Sequence, residues 1–367
     1  PRKRGDGKGK DRIIILEDPL GDGSYGKSTV FYEGLDLVSG IEVGHGGVWI
    51  GAAPELLFIP KDAQDKPGKP RVVLDGWAMQ DTHETLNSFT WGPDGWLYGC
   101  HGVFTHSNVG KPGAPDSERK RINAGVWRLH PLTKEFEIFA EGTSNPWGLD
   151  YDKHGEMFIT ACVIPHLYHV FPGGRYQRQA GQHFEPNTYD DIKTIANHAH
   201  FTGSVLHRPA ERGVVQPQST DEAGGGHAHC GLAIYNGDNF PAEYQGLLLF
   251  GNLHGHRVVA DSVEAKGSGF VGHHAEDFMR SNDAWFIPVT QRVGPDGALY
   301  VSDWTDKQTC HNNNLETWDR GNGRIYRVSY GAAKSRARDL TALKSQELLT
   351  IALDDPNEFF VRQARKV

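Results

Sequence analysis

His83 precedes and His101 follows the stretch "ETLNSFTWGPDGWLYGC", and an imidazole at either place could take or give a proton near neutral pH. Asp81 and Glu84 flank His83, and their carboxylates could orient the ring or act as acid and base themselves. Groups of the same kind recur further on. They are Asn145 in "TSNPWGL", Pro165 and His166 in "CVIPHLYH", His227 and His229 in "HAHC", and His254, His256 and Arg257 in "NLHGHRV". Together they suit proton transfer, recognition of a small polar ligand, or metal ligation. The "HAH" pair could hold a transition metal, although no third ligand stands beside it.

These residues fall at one kind of place, the open ends of short hairpins. "FTWGPDGWLYGC", "GLDYDKHGEMFITAC" and "QRVGPDGALYVSDW" each read as an alternating strand, a tight turn of the Pro-Asp-Gly kind, and a second strand. Looser versions are "SGIEVGHGGVWIGAA" and "GLAIYNGDNFPAEYQGLLLFGN". A further strand pair follows in "GVWRLHPLTKEFEIFAEG" and "ELLFIPKDAQDKPGKPRVVLDG". Four strands recurring at intervals of roughly fifty residues predict a β-propeller. The first blade is incomplete, with only "DRIIILED" and "STVFYEG" before Ser39, and its inner strands would lie upstream of Pro1. The expected fold is therefore all-β, a six-bladed β-propeller over 1–331, followed over 332–367 by a short helical segment. The turn in each hairpin lies at the far end, so both open ends share one channel mouth, and polar groups from several blades would converge there.

Other residues read as structural. Asp94 and Asp296 cap the GPDG turns, and His130 and His154 lie at the surface. His101 and His254 either join the mouth or hydrogen-bond loop carbonyls. Cys100 and Cys162 are a disulfide or two buried thiols. The loop from Glu17 to Lys27 has some acidic spacing of a calcium loop, but Leu20, Ser24 and Gly26 stand where ligands belong. The His-, Gln- and Gly-rich segment 177–226 has no blade pattern and reads as a wall or lid over a site.

Composition narrows the function. Of 367 residues 38% are hydrophobic, 45 are Gly and nine are Trp, which favours short strands and many turns over a helical bundle. A net charge of −8 argues against a nucleic-acid or anionic-membrane surface, and no apolar run approaches the ~20 residues that span a bilayer. The four cysteines form no CxxC pair and so no zinc pattern.

"NPWGLDYDKHGEMFIT", "GLAIYNGDNFPAEYQGLLLF" and "GPDGALYVSDW" resemble the glucose/sorbosone dehydrogenases, six-bladed propellers that bind pyrroloquinoline quinone and calcium. The run from "KSTVFYEGL" through "WGPDGWLYGCHGVFTHSNVG" to "NGRIYRV" is similar to a bacterial family labelled "putative membrane-bound dehydrogenase". In that family HEAT-type helices and a haem-binding CxxCH segment follow the propeller, and "LDDPNEFFVRQARKV" looks like the opening of a HEAT repeat.

The resemblance implies a sugar or alcohol dehydrogenase that oxidises a hydroxyl with bound quinone and passes electrons to a cytochrome domain. The haem c would lie in a C-terminal region beyond this sequence. It implies His83 or Glu84 as base and Arg257 as the polarising cation. It places Asp81, Asn145 and His254 at the cofactor and Pro165 at the metal, and position at the mouth adds His101 and His256 to the first set and His166, His227 and His229 to the second. Where the family has Arg in its "RNPxGL" motif this chain has Ser144, and Ile164 replaces the Gly before Pro165. The implied location is periplasmic or extracellular, membrane-associated only through regions beyond this sequence. Two other classes use the same mouth: a carbohydrate-active lyase or hydrolase, and a propeller that only binds saccharide or protein.

Overall fold

The protein is described from a computed structural model covering residues 9–18, 20, 23–162, 165–184, 190–200, 226, 228–307, 319, 321–332 and 338–367. Its regular structure is mostly antiparallel sheet, laid down one meander after another along the chain. The first is the pair β1 (Asp11–Glu17) and β2 (Lys27–Leu35). A four-stranded sheet follows in simple order, β3 (Val38–Gly44), β4 (Gly47–Ala52), β5 (Glu55–Pro60) and β6 (Arg71–Asp75).

The next sheet starts with the hairpin β7 (Asn87–Trp91) and β8 (Leu97–His101). A side hairpin of β9 (Ser107–Val109) and β10 (Lys120–Ile122) carries the polar insertion before β11 (Gly125–Leu129) and β12 (Phe136–Thr143) complete the sheet. Three-stranded β13 (Pro146–Tyr151), β14 (Met157–Ala161) and β15 (Leu167–Val170) come next. Then β16 (Gly174–Arg178) returns to pair in parallel with β12. The sheet β17 (His229–Ile234), β18 (Leu248–Asn252), β19 (Arg257–Lys266) and β20 (Gly269–His274) has the short β21 (Met279–Arg280) beside β19. The last sheet is β22 (Pro288–Val293), β23 (Leu299–Asp303) and β24 (Arg324–Val328), and helices α1 (Ser345–Asp354) and α2 (Glu358–Lys366) end the chain. Four strands per repeat are met in three of these sheets; among the described residues two other meanders hold three strands and the first holds two.

The chain divides into two compact units. Unit 1 is Pro1–Asn145 with Pro172–Asp190 and Lys366, and unit 2 is Pro146–Phe171 with Asp191–Arg365 and Val367. In unit 1 a core of Trp49, Trp77, Trp91, Trp127, Phe89 and Leu97 joins the sheets of β3–β6 and β7–β12. In unit 2 the buried faces of β17–β19 split between two clusters, one around Phe158, Leu232 and Phe250, the other around Tyr235, Phe286 and Val301. Within each unit the first strand of one sheet packs beside the first strand of the next: β3 beside β7, and β13 beside β17 beside β22. That close approach needs glycine. A Cβ on Gly148 would lie 2.7 Å from the backbone of Gly231, and one on Gly231 would lie 2.7 Å from the Val289 carbonyl. The inner strands are consequently covered on both faces. β8, β14, β17 and β18 are buried along their whole length rather than alternating, as strands with solvent on neither side must be.

The hairpin turns repeat in atomic detail. In the first, Gly92 N donates to Trp96 O and Gly95 N to Gly92 O, and the Asp94 carboxylate accepts from Trp96 N and from the Tyr98 hydroxyl at 2.7 Å. In unit 2 the Gly294 turn repeats the scheme, with Asp296 accepting from Ala298 N and the Tyr300 hydroxyl. Arg128 and Arg327 complete the two networks on the same carboxylates. Gly95 sits at φ 80° with nothing near its absent Cβ, so Gly95→Ala carries only the left-handed backbone penalty. Stability should fall by about 1–2 kcal/mol, read as an earlier urea midpoint.

The tail forms helices where apolar spacing asks for them. Asn357 caps α2 through Phe359 N, and Phe360, Val361 and Ala364 are its buried face. None of the described helices is long and apolar enough to cross a membrane.

Candidate functional site

In unit 1 the segment before β7 is tied down by the loop after β8. Thr105 Oγ1 donates to Asp81 O and accepts from Asp81 N, and Gly102 N donates to Glu84 O. On this support His83 Nδ1 meets Asp81 Oδ1 at 2.6 Å, while Asp81 Oδ1 also accepts from His83 N at 3.0 Å. The His83 side chain is 47% exposed. A carboxylate on Nδ1 fixes the ring and stabilises the imidazolium formed when Nε2 takes a proton, which is how a general base is prepared. Glu84 is buried behind the pair. Asn145 is close by, its side-chain oxygen accepting from Val103 N at 2.8 Å. Its backbone is left-handed at φ 49°, and that aims the amide into the loop.

His101 belongs to the loop. Its Nδ1–H donates to Gly102 O at 2.9 Å, Nε2 meets Ser107 Oγ at 2.7 Å, and the ring stacks on Trp77. Full burial pushes its pKa down to about 4. The unfolded chain takes this proton near pH 6.5. The folded protein resists until about pH 4, so stability drains away as pH falls through that window. The loss should reach about 3 kcal/mol by pH 4 and be missing from the pH dependence of His101→Gln in urea titrations.

In unit 2 the remaining expected residues take different places. Arg257 is buried in an ion pair with Asp277 at 2.8 Å, and its Nε donates to Gly255 O. His256 Nδ1–H donates to Phe286 O at 2.8 Å. His254 is half-buried in the same turn. Pro165 leads directly into His166, and His227 lies outside the described residues, as do Ile164, Cys310 and most of segment 177–226.

His166 and His229 do come together, in a group the sequence reading found only in part. His166 is fully buried just before β15, and His229 opens β17. Residues 195–197 run between β15 and β20: Ile195 N donates to Leu167 O, Asn197 N to Gly272 O and Gly272 N to Ile195 O. That insertion delivers His198 and His200 onto Asp261, a fully buried carboxylate in the middle of β19. His274, directly across from Asp261 on β20, stands beside them.

Asp261 Oδ2 lies 2.9 Å from His166 Nε2. Asp261 Oδ1 lies 3.2 Å from His198 Nε2, 3.5 Å from His200 Nε2 and 3.6 Å from His274 Nδ1. The His229 ring centre is 4.8 Å from those of His166 and His200. Burial pushes His166 down to about 3 and lowers His200 as well, keeping both rings neutral. Burial works to raise Asp261, but the surrounding imidazoles and their hydrogen bonds outweigh it and hold the carboxyl well below its usual range. The sequence signal that went unread is a second "HAH" at 198–200, matching the one at 227–229.

Calcium does not fit this group, because it takes oxygen donors and imidazoles predominate here. The described residues also do not form a cationic cradle for a quinone carboxylate, since Arg257 is already neutralised by Asp277 and both ring nitrogens of His101 are engaged.

A family model described as "Domain of unknown function (DUF7133)" matches residues 1–332. A search of curated proteins returns no match. Among solved structures, the "putative oxidoreductase (glucose dehydrogenase)" from Thermus thermophilus is 19% identical. The match covers 88% of this chain and 90% of that one, with a TM-score of 0.56. The PQQ-bound aldose sugar dehydrogenase from Streptomyces coelicolor is 16% identical, covering 83% of this chain and 85% of that one, with a TM-score of 0.50. At these identities the likeness is one of fold: this chain folds like propeller-type sugar dehydrogenases.

Proposed function

The chain belongs to the family described as a domain of unknown function (DUF7133), and from that premise we propose that it acts on a hydroxyl of a small carbohydrate or alcohol, with His83 as base. The observation that carries this reading is the Asp81–His83 pair, 2.6 Å apart on a half-exposed imidazole. His83 Nε2 would accept the hydroxyl proton, and Asp81 would hold the ring and balance the charge that appears on it. Loss of that proton raises the hydride-donating power of the carbinol carbon, so this base serves oxidation to the carbonyl best, with the hydride passing to an external two-electron acceptor. The two sugar dehydrogenases of like fold favour oxidation over elimination or hydrolysis.

On the same reading the successive sheets are the blades of a six-bladed propeller over 1–331, and 332–367 is the start of a HEAT-like helical repeat. An oxidoreductase of this kind would work outside the cytoplasm, where electrons can leave through a cytochrome.

The test is oxidation of a panel of aldoses and alcohols by the purified chain, coupled to an acceptor dye, with and without added pyrroloquinoline quinone and calcium. Saturable dye reduction on one substrate class supports the reading. Turnover that needs no acceptor moves the assignment to a lyase or hydrolase. Saccharide binding with no turnover in a folded chain leaves a binding propeller.

A further inference from the structure

We infer that His166, His198, His200 and Asp261 bind one divalent transition-metal ion of zinc's size and donor preference. The inference is independent of the hydroxyl chemistry assigned to unit 1, since all four residues lie in unit 2.

Geometry comes first. His198 Nε2 and His200 Nε2 are 3.3 Å apart, and Asp261 Oδ1 lies 3.2 Å from the first and 3.5 Å from the second. A tetrahedral ion with bonds of about 2.0–2.1 Å keeps its ligand atoms roughly 3.3 Å apart. The three atoms therefore already form one face of such a polyhedron. His166 approaches from the Oδ2 side, and one donor atom from each of the four residues lies within 4.8 Å of the others.

Proton accounting points the same way. His198 Nδ1 meets the Asn197 side-chain oxygen at 3.2 Å, and Asn197 Nδ2 is engaged with His273 Nδ1 at 2.7 Å. That amide orientation makes His198 Nδ1 the donor. In the neutral ring Nε2 then carries a lone pair, pointed at the Asp261 Oδ1 acceptor 3.2 Å away. Acceptors held face to face in a buried site repel unless a cation sits between them. An outer partner on the far nitrogen of a ligating histidine is the usual device for fixing its tautomer. His166 Nδ1 is likewise buried and has no hydrogen-bond partner among the described residues.

Three imidazoles and one carboxylate suit zinc, cobalt, nickel or copper and are a poor match for calcium or magnesium. Four protein donors close the coordination sphere, and a closed sphere marks a structural ion rather than a catalytic one. Here the ion would fasten residues 195–200 to the middle of β19.

The full chain, stripped with a chelator and shown by circular dichroism to be folded, is titrated with zinc and with cobalt. The expected result is one equivalent bound per chain, a tetrahedral cobalt absorption spectrum, and a higher melting temperature for the loaded protein. Asp261→Asn and His200→Gln should each weaken binding by more than about 100-fold, beyond the loss typical of outer-shell partners, whereas the exposed His154→Ala should bind as the parent does. If a variant fails to fold, X-ray absorption on the zinc-loaded parent still decides the matter: imidazole scattering from three rings is expected, and fewer than two overturns the assignment. Failure of the folded parent to take up zinc or cobalt stoichiometrically overturns it too, leaving a protonated histidine network. Uptake unchanged in both Asp261→Asn and His200→Gln would mean surface binding only, and has the same consequence.

Discussion

His83→Ala should lower kcat/KM for hydroxyl oxidation by about 10²–10⁴-fold, the range for loss of a positioned general base. The loss should sit in kcat, because the ring acts on the proton in the transition state and little of the substrate rests on it in the ground state. Asp81→Asn should give a smaller loss of the same kind. It keeps a hydrogen-bond partner near Nδ1 but removes the negative charge that stabilises the imidazolium. Neither change should unfold the protein, since His83 is 47% exposed and the segment is anchored mainly through the backbone of Asp81 and Glu84. Steady-state rates for the parent and both variants check this together with urea midpoints. Equal rates in all three would remove His83 from the mechanism.

The second large effect is on stability. Arg362 on α2 reaches β13, where its Nη1 lies 2.6 Å from Asp150 Oδ1 and its Nη2 donates to Tyr151 O at 2.9 Å. The guanidinium also lies 4.0 Å from the centre of the Tyr151 ring. Asp150 is buried, and it additionally accepts from Ile234 N at 2.8 Å and from its neighbour Tyr151 N at 2.9 Å. Removing Arg362 leaves that carboxylate in place without its counter-charge. Breaking a buried pair from one side costs about 3–5 kcal/mol, and the partial exposure of Arg362 puts Arg362→Ala near 3. Arg362→Met together with Asp150→Asn should recover part of the loss, because the stranded charge is then gone. A double-mutant cycle from urea titrations measures the coupling, and independent, additive effects would show that the pair does not hold α2 to the sheet.

Local chemistry was readable from the residues. Pro-Asp-Gly and Asp-Lys-His-Gly between apolar runs each became a tight hairpin, with Gly95, Gly155 and Gly297 at positive φ. Turn type depends on residues two or three apart, so their order along the chain determines it. The helical tail was legible for the same reason, as was the Asp81–His83 pair, whose members are two residues apart. The strand content of each repeat was less so. β16 leaves its own meander to pair with β12, and strand alternation was replaced by burial on both faces, because a strand's neighbours in space are set by packing.

What the sequence by itself determined, then, is the succession of antiparallel sheets, their turns and one imidazole–carboxylate pair. Only the tertiary structure decided which histidines meet. His166 and Asp261 are 95 positions apart and His198 and Asp261 are 63 apart, brought together by the register of β19 on β20 and by residues 195–197 entering between β15 and β20. Only the tertiary structure, likewise, turned Arg257 from a candidate cation into the partner of Asp277 and His101 into a loop brace. Composition and spacing carry no term for contacts at such separations, where each side chain's partner depends on how every intervening strand has packed.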